Sequence, residues 1–182
     1  TELLVSACIK SLQAYPPFDR MEAESLRFLA QRVKLAHYPK GARILASETG
    51  VARTLHILQR GRVRVVRRGG DSKVESSAVA LGPGQSFSIG ALMAQRETVA
   101  AYIASEDVFC YELAAEDFFT LTHKSTVFNL FCTQYIAGLL RQSQQQLQLQ
   151  LAQRAAEQRT MNSPLAMVVT REPVSVAPDT SV

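Results

Sequence analysis

The apolar positions at the front of the chain recur with the period of a helix. Between Glu2 and Tyr15 they lie three or four positions apart, which predicts an amphipathic helix that ends at Pro16-Pro17. The same spacing returns between Ala23 and Val33 and predicts a second helix. We therefore expect two helices before the first strand, with residues 1–16 forming an N-terminal helical segment.

After Lys34 the period shortens to that of β-strands. Val63 and Val65 alternate with Arg62 and Arg64, which is typical of an antiparallel strand with one buried face. Turns that contain Gly and Pro separate the short runs. The predicted strands are 35–38, 42–46, 54–60, 62–68, 76–81, 99–104 and 108–113. Many short strands with such turns favour a β-barrel or sandwich.

The helical period returns after residue 113. A helix is predicted over 114–122, and Ser125 or Thr126 can cap the next one. That helix carries an unbroken apolar stripe: Phe128, Phe131, Cys132, Tyr135, Ile136, Leu139 and Leu140. The stripe then thins in a Gln-rich segment, which we expect to stay helical to about Glu157. Such a stripe belongs either to the core or to a homodimer contact, and we expect a homodimer through Phe128, Tyr135 and Leu139.

Composition places the chain among ordinary soluble globular domains. Its 182 residues are 47% hydrophobic and 20% charged, with a net charge of +4. That charge is too small to indicate a nucleic-acid partner, and the arginines between Arg60 and Arg68 alternate along a strand as a solvated face would. The front of the chain shows no signal-peptide pattern. The longest apolar stretch, Val127 to Leu140, is too short and interrupted to span a bilayer, so no membrane partner is expected.

The three cysteines are an odd number and stand far apart in apolar contexts. They are Cys8, Cys110 and Cys132. This usage favours buried free thiols in a reducing compartment, which predicts a cytoplasmic protein.

The sequence shows no constellation of residues for catalysis. His37, His56 and His123 stand in unrelated contexts, whereas a metal site in a jelly-roll enzyme needs paired histidines. Neither a Gly-x-Ser-x-Gly elbow nor a Walker-type phosphate loop occurs. We therefore expect no enzymatic activity, no metal and no cofactor.

The stretch from Leu81 to Leu113 carries the most informative pattern. A Gly-Pro-Gly turn leads to Phe87, a short apolar run from Ser88 to Ala94, a polar loop from Gln95 to Thr98, and two strands. A strand that turns into a short helix presents unpaired backbone N–H groups, which favour an anion. The arrangement resembles the phosphate-binding cassette of the cyclic nucleotide-binding domain family.

Further segments carry the same resemblance in matching order. They are Tyr38-Pro39-Lys40-Gly41-Ala42-Arg43-Ile44, Leu55-His56-Ile57-Leu58-Gln59-Arg60-Gly61-Arg62-Val63 and Leu81-Gly82-Pro83-Gly84-Gln85-Ser86-Phe87. The resemblance covers about Phe18 to Arg141 and implies a mainly β fold, a double-stranded β-helix (jelly roll or β-roll) with N-terminal helices and a long C-terminal helix. It divides the chain into residues 1–16 (helix), 17–123 (β-roll), 124–160 (C-terminal helices) and 161–182.

Two positions depart from the family pattern. Members that bind cyclic AMP or GMP have a Glu for the ribose and an Arg for the phosphate, where this chain has Ile89 and Thr98. Hydrogen bonds to charged groups are worth roughly 1.5–3 kcal/mol each, so losing both costs about 3–6 kcal/mol. The cassette that the resemblance implies comprises Phe87, Ser88, Ile89, Gly90, Ala91, Leu92, Arg96, Thr98 and Val99. We expect it to have lost standard cAMP and cGMP binding, unless Arg96 substitutes for the missing arginine or backbone N–H groups at Gly90-Ala91 retain a small anion.

The C-terminal segment 161–182 resembles the opening of a CBS domain. Its last residues, Pro178-Asp179-Thr180-Ser181-Val182, match that family's Pro-x-Thr-Ser-Val pattern. Together the two resemblances imply a regulatory front end of a bacterial signal-transduction protein with a nucleotidyltransferase-like module further along, so that any activity would lie in later domains. We therefore predict a non-catalytic sensor module. The alternatives are a working domain for a cyclic nucleotide or another small anion, and a dimerisation or docking scaffold.

Overall fold

The computed structural model describes residues 2–67 and 76–161, and it contains the predicted helices and strands. The helices are α1 (Glu2–Leu12), α2 (Ala23–Arg32), α3 (Ile89–Met93), α4 (Ala115–Lys124) and α5 (Thr126–Met161), with 3₁₀ turns at Phe18–Arg20 and Ser47–Thr49. The strands are β1 (Lys34–Tyr38), β2 (Arg43–Leu45), β3 (Thr54–Arg60), β4 (Val63–Arg67), β5 (Ser76–Leu81), β6 (Ser86–Phe87), β7 (Ala100–Ala104) and β8 (Val108–Ala114). By internal contacts the chain divides into Thr1–Leu139 and Leu140–Val182.

The strands form two antiparallel four-stranded sheets in the first of these units. One sheet has the order β1-β8-β3-β6 and the other β2-β7-β4-β5. All strand pairs within them are antiparallel. With two N-terminal helices and a long C-terminal helix, this is the jelly-roll architecture that the sequence predicted, and the fold class is confirmed.

Strand β3 shows how the sequence builds two cores. Its residues Leu55, His56, Ile57 and Leu58 are all buried, because both faces of its sheet are covered. Leu55 and Ile57 belong to the core shared with the helices, whereas Leu58 belongs to the core inside the roll. This division follows from the alternation of side chains along a strand. Each fully buried Leu or Ile contributes about 1.5–3 kcal/mol of hydrophobic stabilisation.

The long C-terminal helix begins where the sequence predicted. The hydroxyl of Ser125 accepts a hydrogen bond from the N–H of Phe128 at 3.1 Å, which is the geometry of an N-cap. The Ser125 hydroxyl in turn donates to the carboxylate of Glu22, so the start of α5 is fixed to the start of α2. In the second unit the helix runs to Met161, a few residues past the predicted Glu157, and its residues 140–157 are exposed.

Several expectations require correction. Helix α1 ends at Leu12 rather than near Tyr15, and the two-residue strand β6 was not predicted. Phe128 was expected at a dimer contact, but it is fully buried and packs against Phe118, with ring centroids 5.8 Å apart. It therefore cannot line an exposed surface. The segment expected to open a CBS domain, beyond Met161, lies outside the described residues.

The three thiols are free and buried, as predicted. Burial raises the pKa of Cys110 and of Cys132 to about 12, and it raises the pKa of Cys8 as well. None of the described helices is long and apolar enough to cross a membrane.

Candidate functional site

The cassette begins at a turn that only glycine accommodates easily. Gly84 has a φ of +84°, and a Cβ placed there would lie 2.2 Å from the ring of Tyr15. The N–H of Gly84 donates to the carbonyl of Leu58 at 2.7 Å, and the N–H of Leu58 donates to the carbonyl of Gln85 at 2.8 Å. These bonds fix the turn to β3 and direct the chain into β6.

Ser88 forms the bend between β6 and α3. It adopts the left-handed conformation with a φ of +75°, which is uncommon for a residue with a side chain. Its hydroxyl donates to the carbonyl of Thr54 at 2.7 Å and also contacts the carbonyl of Phe87. This buried contact to β3 holds the serine in a conformation that would otherwise favour glycine.

A small cavity of about 90 Å³ lies beside α3. Six of the nine predicted cassette residues line it, namely Ser88, Gly90, Ala91, Arg96, Thr98 and Val99. The other three, Phe87, Ile89 and Leu92, are buried and do not line the cavity. Ile89 and Leu92 belong to the core beneath the helices, and Phe87 belongs to the core inside the roll. Most of the predicted site residues therefore lie around one cavity, whereas its three large apolar residues pack in the cores beneath it.

Helix α5 covers one side of this cavity, and this contact was not predicted from the sequence. Tyr135 and Leu139 complete the lining. A Cβ placed on Gly90 would lie 3.1 Å from Cδ1 of Leu139 and 3.8 Å from Cδ1 of Ile136, so the helix rests directly on α3. Ligand pockets usually enclose about 300–1,000 Å³. With a volume of about 90 Å³ beside Tyr135 and Leu139, this partly open cavity is too small for a nucleotide.

The polar groups of the cavity offer little to a phosphate. The Thr98 hydroxyl donates to the carbonyl of Ala100 at 3.0 Å and accepts from its N–H at 3.3 Å, so its proton is already in use. Arg96 is the cationic side chain of the lining and is exposed, while the adjacent Glu97 is acidic. The backbone of Arg96 is fixed, because its carbonyl accepts from the N–H of Ala52 at 3.1 Å and its N–H donates to Ala91 at 3.0 Å.

A stack of aromatic rings connects the cavity wall with the interior of the roll. The ring of Phe87 stacks with Tyr102 at 4.7 Å and 17°, and with His56 at 4.7 Å and 5°. Burial lowers the pKa of His56 to about 4, against the opposing charge of Glu112, so the imidazole is neutral at pH 7. No role for His56 was predicted from the sequence. The apolar Leu58, two residues later on the same face of β3, was the signal that His56 would face the interior of the roll.

The cyclic nucleotide-binding domain model matches residues 35–125, which is half of the chain. The chain belongs to the cyclic nucleotide-binding domain family. A search of curated proteins found no match. Among the residues that the structure describes, no group of three or more His, Cys, Asp or Glu could hold a metal ion.

Solved structures show the same family fold. The regulatory domain of Toxoplasma gondii PKA with cAMP has a TM-score of 0.67 and 18% identity, covering 75% of this chain and 51% of that one. The regulatory subunit of a cAMP-independent protein kinase A from Trypanosoma cruzi, bound to guanosine, has a TM-score of 0.61 and 17% identity, covering 76% and 50%. The sensor domain of the transcriptional regulator DNR from Pseudomonas aeruginosa has a TM-score of 0.59 and 16% identity, covering 72% and 92%. The chain thus spans about half the length of both kinase regulatory proteins.

Proposed function

We propose that the chain is a non-catalytic regulatory module of a bacterial signal-transduction protein, and that its cassette has lost standard binding of cAMP and cGMP. The observation that carries the proposal is the cavity of about 90 Å³ under α5. A family cassette that bound a nucleotide would need several times this volume. Here Leu139 and Ile136 occupy the space above Gly90 instead, and Tyr135 lines the cavity beside them.

The chemistry of the two substituted positions supports the same proposal. Ile89, at the position of the family's ribose-binding Glu, is fully buried in the core beneath the helices. Thr98, at the position of the phosphate-binding Arg, has its hydroxyl bonded to the backbone of Ala100. The combined loss of about 3–6 kcal/mol in charge-assisted hydrogen bonds corresponds to a hundredfold to ten-thousandfold weaker affinity.

The small volume of the cavity suggests how a ligand would act on the module. A molecule the size of a nucleotide would displace Leu139 and Tyr135 when it occupies the space beside α3. Binding would therefore favour a conformation in which this part of α5 has moved. Because Leu139 directly precedes Leu140, such a movement would be passed to the chain that follows.

An alternative ligand is a nucleoside or a small anion. The Trypanosoma cruzi relative is cAMP-independent and bound to guanosine, which carries no phosphate. A cassette without the phosphate-binding Arg loses less affinity for a ligand that has no phosphate, but a nucleoside would still have to displace Leu139 and Tyr135 to enter the cavity. In this alternative the exposed Arg96 at the cavity contacts the ligand.

A second candidate function is dimerisation, which the exposed apolar residues of α5 favour. Leu140, Leu147, Leu149 and Leu151 are each more than half exposed. Tyr135 and Leu139, also predicted at the contact, are partly buried at the cassette cavity, whereas Phe128 is fully buried. Sedimentation equilibrium tests it: a dimer that Leu147→Ala weakens supports this candidate, and a monomer at all concentrations contradicts it.

The CBS segment, the later nucleotidyltransferase-like module and the cytoplasmic location remain proposals from resemblance and composition.

Thermal denaturation with a ligand panel tests the proposed function. We expect cAMP and cGMP at 1 mM to leave the melting temperature unchanged. A ligand with a Kd of 10 µM would add about 2.7 kcal/mol at that concentration, a shift of several degrees. A shift with adenosine or guanosine, reduced in Arg96→Ala, would support the nucleoside alternative. A shift with cAMP or cGMP would contradict the lost-binding proposal.

A further inference from the structure

A second and larger cavity, of about 590 Å³, lies at the other end of the aromatic stack. His56 lines this cavity, and the ring of Phe87 joins it to Tyr102, which lines the cassette cavity. The second cavity opens widely to solvent, and its volume is within the usual size range of small-molecule sites. It shares none of its lining residues with the cassette cavity.

Carboxylate chemistry dominates one wall of this second cavity. Glu112 lies opposite His56 in the β3–β8 register, and its Oε1 is 3.7 Å from Nε2 of His56. The hydroxyl of Tyr38 donates to the same Oε1, which leaves the second carboxylate oxygen to a ligand. The Glu112 side chain is 26% exposed, so a molecule in the cavity can reach it.

The cationic group of the cavity is Arg53. Its side chain is exposed and forms no ion pair with any residue in 2–67 or 76–161. Because His56 is neutral at pH 7, Arg53 and Glu112 are the two charges of the lining. Glu112 would repel a ligand with only an anionic group, and Arg53 would repel a ligand with only a cationic group.

The apolar part of the lining indicates that the ligand also has an apolar group. Ile44 and Leu45 are buried and form an apolar wall, and Val51 is half exposed at the cavity. We propose that this cavity is a second ligand site, which takes a small zwitterion: an α-amino acid with an apolar side chain. Its carboxylate pairs with Arg53, its ammonium group pairs with Glu112, and its side chain lies against Ile44 and Leu45.

The site adjoins the cassette through the backbone as well as through the rings. Val51 forms an isolated β-bridge with Glu97, and the N–H of Ala52 bonds to the carbonyl of Arg96. The loop that borders the second cavity is thus hydrogen-bonded to the loop that borders the first. The proposal does not depend on what the cassette itself binds.

Thermal denaturation of the full chain with L-leucine, L-valine, L-methionine and L-phenylalanine at 10 mM tests the proposal. We expect at least one of them to raise the melting temperature. N-acetyl-L-leucine and L-leucinamide, each with one of the two charges, serve as matched probes and should bind at least tenfold more weakly than L-leucine. Absence of a shift with all four amino acids would overturn the proposal, as would equal shifts with the matched probes.

Variants locate the binding. Arg53→Gln and Glu112→Gln should each weaken the amino-acid effect at least tenfold, whereas Arg64→Gln, which removes an exposed arginine of β4 in the other sheet, should leave it unchanged. Arg96→Ala should also leave it unchanged, which separates this site from the cassette. Should Glu112→Gln not fold, Val51→Trp fills the cavity from a half-exposed position and should abolish binding. Full retention of binding in Arg53→Gln and Val51→Trp would overturn the proposal.

Discussion

Ser88 lies at the bend into α3, and replacing it separates two physical effects. Its hydroxyl donates a hydrogen bond to the backbone carbonyl of the half-buried Thr54 at 2.7 Å, while its φ of +75° is unfavourable for any residue with a Cβ. Ser88→Ala removes the hydrogen bond and keeps the unfavourable conformation. Ser88→Gly removes the same bond but relieves the conformation.

The magnitudes give a clear order of stability. The loss of one hydrogen bond costs about 0.5–1.5 kcal/mol, so Ser88→Ala should lower the free energy of unfolding by about 1 kcal/mol. The left-handed conformation costs about 1–2 kcal/mol in a residue with a side chain, and the greater freedom of glycine in the unfolded chain offsets part of the relief. Ser88→Gly should therefore be about 1 kcal/mol more stable than Ser88→Ala.

Ser86 provides the matched control, two residues earlier. Its Oγ is buried and has no hydrogen-bond partner among the described residues, so Ser86→Ala should leave stability unchanged or raise it. Urea unfolding followed by circular dichroism measures all three variants against the parent. If Ser88→Gly proves less stable than Ser88→Ala, the conformational argument is wrong. If Ser88→Ala matches the parent, the hydroxyl does not hold the bend.

Further predictions concern the stack, the approach to the cassette and the thiols. The pKa of His56 is about 4 in the folded protein and about 6.5 in the unfolded chain, so between these pH values only the unfolded chain binds the proton. The free energy of unfolding therefore falls as the pH drops below about 6.5. Urea titrations should show a loss of about 2 kcal/mol between pH 7.5 and 5.0, and this loss should be absent in His56→Phe. Gly84→Ala should lower the melting temperature by several degrees more than Gly41→Ala does. Both glycines have a φ of +84°, but only Gly84 contacts the ring of Tyr15. Equal decreases would show that the ring of Tyr15 moves aside. The three buried thiols should react with Ellman's reagent at pH 8 only as fast as the protein unfolds, and rapid labelling of the native protein would contradict their burial.

Much of the fold follows from local patterns in the sequence. The alternation in β4 and the apolar stripe that begins at Phe128 each arise because one face of the element is buried. Such a pattern predicts the element even when the segment that packs against it is unknown. The strand β6 was missed because its two residues, Ser86 and Phe87, are too few to show a period. Phe128 was assigned to a dimer contact because a stripe identifies a buried face without saying what buries it.

The candidate site could be predicted only in part, since its geometry depends on distant segments. The cassette residues follow each other in sequence, and most of them meet around one cavity. That Leu139 closes this cavity depends on a contact across about fifty residues, which no local pattern reveals. The hydroxyl of Thr98 was expected to face a ligand, but the backbone of Ala100, at the start of β7, supplies nearer partners.

Isothermal titration of the purified protein with cAMP and cGMP tests the central claim most directly. The small cavity, the buried Ile89 and the internally bonded Thr98 predict no measurable heat of binding up to millimolar ligand. Binding in the low micromolar range would contradict this account, since it would require α5 to open readily and another group to replace the missing arginine. In that event, loss of binding in Arg96→Ala would identify that group.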